Sequence, residues 1–91
     1  MSPNSLGNRD AIFAAITRER QYQKRRWGDR PREVGAWLTV LRAELAEAEA
    51  AWVKRPDDPD ALREILQVAA VCVAAMEQHG VYEREPTNAR D

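Results

Sequence analysis

Glu44 and Glu47 stand three residues apart, and Glu64 and Gln67 repeat that spacing further along the chain. On a helix, side chains at i and i+3 share a face, with Cβ atoms roughly 5–6 Å apart. Four oxygen-bearing side chains on two neighbouring helices can converge, and helical bundles build carboxylate metal sites in this way. Hard oxygen donors of this kind favour Mg²⁺ or Mn²⁺. With one cysteine and one histidine in the chain, a zinc site of the usual kind is excluded. Like charges gathered in a groove are costly unless a cation neutralises them. The same spacing also describes ordinary acids on a solvated helix face, and spacing alone does not separate the two readings.

Chemistry of the opposite sign lies nearer the N-terminus. Seven basic residues fall between Arg18 and Arg32, against Glu19 and Asp29. Seven acids fall between Glu44 and Glu64, against Lys54, Arg55 and Arg63. These blocks are either two solvated faces or the two halves of a metal–phosphate site. Lys24, Arg25 and Arg26 can meet phosphate oxygens, and Trp27 and Trp37 can stack on a base. The alternatives are a solvated basic face and tryptophans that lid a core. His79, near a helix C-terminus, is a favourable partner for the helix dipole.

Three helices are needed to position these groups. Asn8 or Asp10 can cap a first helix over about 9–27, which Gly28 ends. Its apolar residues Ile12, Phe13, Ile16 and Trp27 make a thin stripe. Gly28 and Pro31 break the joint "GDRPREVG". A second helix is expected over about 33–54, where Val34, Leu38, Leu41, Leu45, Ala48 and Trp52 alternate at spacings of four and three. The segment "RPDDPD" turns the chain, and Asp58 before Pro59 suits the start of a third helix over about 59–79, which Gly80 stops. The polar tail 81–91 has no period and is expected to be loose. The short turn makes the second and third helices antiparallel, so counting outward from Asp57 sets Glu47 opposite Gln67.

The 91 residues form one domain at most, and the net charge is −1. No bulk field points to nucleic acid or to a membrane. The segment "ILQVAAVCVAAM", Ile65 to Met76, has Gln67 as its single polar member. A helix that is apolar on every side is buried on every side. Two short helices cannot wrap it, so a second copy of the chain is expected to complete the bundle, as a dimer or tetramer. The run falls short of the roughly 20 residues that span a bilayer. Cys72 reads as a packed thiol. A lone cysteine and no visible signal peptide point to a reducing cytoplasm.

The string "ERQYQKRRWGDRP…WLTVLRAELAEAEAAW…ALREILQVAAVCVAAME" resembles the MazG-like family of all-α nucleoside triphosphate pyrophosphatases, especially its short single-module phage and bacterial members. The likeness spans about Glu19 to Glu77. In that family an "ExxE" on one helix and an "ExxD" on the next hold Mg²⁺, and the metal holds a triphosphate that is hydrolysed to monophosphate and pyrophosphate. The resemblance implies that Glu44, Glu47 and Glu64 are catalytic and ligate Mg²⁺ or Mn²⁺. Two departures stand out: Ala43 replaces a frequently doubled glutamate, and Gln67 replaces the expected aspartate. An amide oxygen can ligate Mg²⁺, but it is neutral and cannot bind through two oxygens. The resemblance therefore implies either a hydrolase or a protein that holds a nucleotide, including a signalling nucleotide, without cleaving it.

Overall fold

A computed structural model describes residues 8–85 of the chain. It consists of α1 (Arg9–Trp27), α2 (Val34–Lys54) and α3 (Asp60–His79), with no strand among the described residues. The expected all-α architecture is thus observed, with helix ends at or within one residue of those expected. Residues 81–85 are exposed and carry no helix or strand, while 86–91 lie outside the described residues.

Local chemistry explains the boundaries. The Asn8 side chain accepts from the Ala11 amide at 3.1 Å and so caps α1. Gly28 closes α1 with a φ of 81°, which a residue bearing a Cβ would hold only under strain. Pro59, expected as the first helical residue, instead takes the N-cap position of α3, and the Asp58 carboxylate accepts from the Asp60 amide at 2.9 Å in the turn just before the helix. Asp57 takes a φ of 74° in the same turn, a conformation that aspartate tolerates better than most residues.

The packing is built on α3. Both α1 and α2 lie against it and barely touch each other. Trp37, Val71 and Ala74 form the small core, with Val40, Leu41 and Ala75 packed around them. Ala48, Ala61 and Ala70 are also buried, which lets the α2 and α3 backbones approach closely.

Two stripes read from the sequence are not the faces that pack. On α2, Leu41 and Ala48 turn inward, but Val34, Leu38, Leu45 and Trp52 are each at least half exposed. The face toward α3 runs instead through Trp37, Val40, Leu41, Glu44 and Ala48. The apolar arc of α2 is wider than one neighbour needs, and α3 covers only one edge of it. On α1, Ile12, Phe13 and Trp27 are exposed, whereas Arg20 and Gln23 are buried. α1 therefore docks through polar groups, which a search for apolar period cannot detect.

Candidate functional site

Antiparallel pairing of α2 and α3 brings Glu44, Glu47 and Glu64 together, with one carboxylate oxygen from each lying within 4.8 Å of the others. Glu44 and Glu64 are half-buried and Glu47 is exposed. One oxygen of Glu64, Oε1, is shielded from solvent and has no hydrogen-bond partner. Burial raises the pKa of Glu44 above the usual carboxylate value, and the charges of Glu47, Glu64 and Glu19 raise it further. Glu64 is raised too, first by burial and then by Glu47, Asp60 and Glu19. The ion pairs of Arg20, Lys24 and Arg63 all go to other acids. Three converging carboxylates, of which Glu64 has a buried and unpartnered oxygen, could hold a divalent ion of the Mg²⁺ type.

Gln67 follows Glu64 by one turn and lines a shallow groove with it, beside Lys54, Arg55 and Arg63. Its carbonyl oxygen accepts from the buried Gln23 amide at 3.2 Å. The same Gln23 nitrogen lies 3.5 Å from Glu19 Oε2. Glu19 on α1 is thereby held near α3, where its charge bears on both Glu44 and Glu64. Sequence reading missed Glu19, because no spacing rule links a residue of α1 to a pair of motifs on α2 and α3.

Beside the carboxylates lies a groove of about 270 Å³ whose walls include Arg20, Gln23, Trp27, Trp37, Val71 and Glu44. Glu44 thus belongs to both the acidic cluster and the groove. Trp27 is two-thirds exposed, and its ring meets Tyr22 edge-on at 6.3 Å. Trp37 is 6% exposed; it is a core residue with one side on the groove. The Arg32 guanidinium sits 5.0 Å from the Trp37 ring centre, a cation–π contact.

The basic residues divide. Lys24 reaches Asp29 at 3.7 Å near the groove mouth, while Arg25 and Arg26 are exposed and lie outside the lining. Arg20, Arg30 and Arg32, which the sequence did not single out, do line it. Arg20 is buried because its charge is matched twice, by Asp29 at 2.9 Å and by Glu77 at 2.8 Å. The residues between α1 and α2 therefore build one wall of the groove, and the C-terminal turn of α3 holds that wall in place. His79 accordingly contacts the Arg32 carbonyl at 2.7 Å.

Among the described residues no helix is long and apolar enough to cross a membrane. No protein-family model, curated protein or solved structure matches this chain.

Proposed function

We propose that this protein is a Mg²⁺- or Mn²⁺-dependent pyrophosphohydrolase that converts a nucleoside triphosphate to its monophosphate and pyrophosphate. The observation that carries the reading is the trio of Glu44, Glu47 and Glu64, converging within 4.8 Å and opening beside an aromatic and basic groove through Glu44. The resemblance to MazG-like enzymes supports it, since Glu44, Glu47 and Glu64 match three of the four acids of that family's metal-binding motif and Gln67 stands in place of the fourth. Glu44, Glu47 and Glu64 would hold the cation, with the Gln67 amide oxygen as a neutral fourth donor. When bound, the cation supplies neutralisation of phosphate charge and acidifies water.

The remaining chemistry belongs to the chain. A glutamate of the cluster would take the proton of an attacking water. That water bonds to the α-phosphorus, the bond to the bridging oxygen breaks, and pyrophosphate leaves with the electron pair. The nucleoside would lie in the groove against Trp27 and the Trp37 wall, with Lys24, which reaches the lining residue Asp29, as the expected basic group nearest the phosphates, while Arg25 and Arg26 lie outside the lining. A second copy of the chain covers the exposed apolar face of α2 and α3.

A second reading, a binder that holds the nucleotide without cleaving it, has one specific observation in its favour. Gln67 removes a negative charge from the motif that the resemblance implies. Pyrophosphate release from a panel of nucleoside triphosphates, with Mg²⁺ or Mn²⁺, tests the choice. Metal-dependent release that disappears in Glu64→Ala supports the hydrolase. Tight binding without release supports the binder, and neither binding nor release rejects both.

A further inference from the structure

Gln78 does not line the groove, yet its amide is committed to the groove's walls through three hydrogen bonds. Its Oε1 accepts from Trp37 Nε1 at 2.9 Å and from the Arg32 backbone amide at 3.0 Å. Its Nε2 donates to the Arg30 carbonyl at 2.9 Å. Two donors face the oxygen and one acceptor faces the nitrogen, so only one orientation of the amide satisfies the network. One side chain on α3 thus ties the first turn of α2 to the segment between α1 and α2 at two backbone points. The groups it holds, Arg30, Arg32 and Trp37, are themselves groove lining.

The bond to Trp37 matters most. The indole is buried, and a buried N–H without an acceptor is costly, so the ring sits where Gln78 can receive it. That N–H is consumed inside the protein, and with the Arg32 guanidinium 5.0 Å from the ring centre the groove presents a combined indole and guanidinium wall to a base. Resting on the nucleotide reading above, we infer that Gln78 is a positioning residue for the nucleobase: it fixes the Trp37 wall and the facing 30–32 backbone, and so sets how tightly a flat ring is gripped. The bonds of Gln78 go to Trp37 and to the backbone of Arg30 and Arg32, and none goes to the carboxylates that would hold the cation and, through it, the triphosphate.

The test compares two probes with Mg²⁺ by calorimetry: the best-bound nucleoside triphosphate, and inorganic tripolyphosphate, which has the phosphates and no base. Gln78→Met keeps the side-chain length and removes all three bonds. It is expected to weaken the nucleoside triphosphate by about tenfold or more while tripolyphosphate binds as in the parent. Gln78→Glu keeps both accepted bonds and turns an oxygen toward the Arg30 carbonyl, so its loss should be selective and smaller. Trp37→Phe, with a ring but no N–H, should show the same selectivity. Equal weakening of both probes means a general structural role and overturns the inference, as does no change in either. It also falls if both Gln78 variants fail to fold. A parent that hydrolyses nucleotides but binds both probes equally overturns the inference alone, whereas a parent that binds neither overturns the nucleotide reading beneath it.

Discussion

Glu44 and Glu64 are the residues at which charge and burial are most at odds. Each has a pKa raised in the folded state, so the native protein holds protons that the unfolded chain has released at the same pH. Where the native state binds more protons, stability falls as pH rises. For these two groups the favourable contribution is complete below the ordinary carboxylate value of 4.5 and is lost as pH climbs through the raised values. Metal-free protein should therefore show a Tm component that declines from about pH 4.5 toward neutrality. Mg²⁺ should restore it, and Glu64→Gln should flatten the slope. A scanning calorimetry series with and without Mg²⁺ reads both effects, and a Tm independent of Mg²⁺ in the parent would remove the metal from the site. Gln67 supplies the complementary experiment. In a pyrophosphohydrolase, Gln67→Asp adds ligand charge, so metal should bind more tightly and turnover should rise at limiting Mg²⁺. In a binder the new carboxylate repels the phosphates, and nucleotide affinity should fall with no turnover.

At the level of elements, α3 carries the fold and α1 is attached to it by polar contacts. Val71 is 8% exposed at the centre of the core. Val71→Asp places an unpaired charge there at a cost of several kcal/mol, which a chain of this size cannot absorb. Circular dichroism should record loss of the helical signal. Arg20→Met is a milder perturbation of a different contact. It unpairs Glu77 and leaves Asp29 with Lys24 alone, but both acids are about half exposed, so water can take over much of the role of the guanidinium. The expected loss is about 1–2 kcal/mol, well below that for a fully buried pair. Hydrogen exchange should locate it at the α1–α3 contact and leave α2–α3 protected.

The molecule as a whole leaves an apolar surface uncovered. Leu45, Trp52, Val53 and Ile65 surround a shallow depression between α2 and α3, and each is at least half exposed. Ala70 is the one fully buried side chain among the described core residues, and it is small, which leaves little apolar burial to stabilise a lone chain. A second copy placed on this face would bury both deficits at once. Light scattering should accordingly give a mass at least twice 10.4 kDa at micromolar concentration. Trp52→Glu should shift the population toward monomer and lower the Tm. A stable monomer in the parent would mean that this face is solvated after all.

The three helices, a choice of caps for α1 and the possibility that Glu44, Glu47 and Glu64 converge are legible in the sequence. All of these follow from short-range rules: side-chain spacing, the Asn8 cap, the glycine stops, and a turn too short for anything but an antiparallel return. Tertiary structure alone decided what depends on distant partners. It turned Leu38, Leu45 and Trp52 outward, because α3 covers one edge of a wide apolar arc. It buried Arg20 and Gln23, because their partners are Asp29, Glu77 and the Gln67 carbonyl, and no pattern within α1 specifies them. It brought the charge of Glu19 to bear on the acidic cluster and made Trp37 a wall anchored by Gln78. A helix's period says which residues share a face, while the identity of the group opposite is set only when the helices meet.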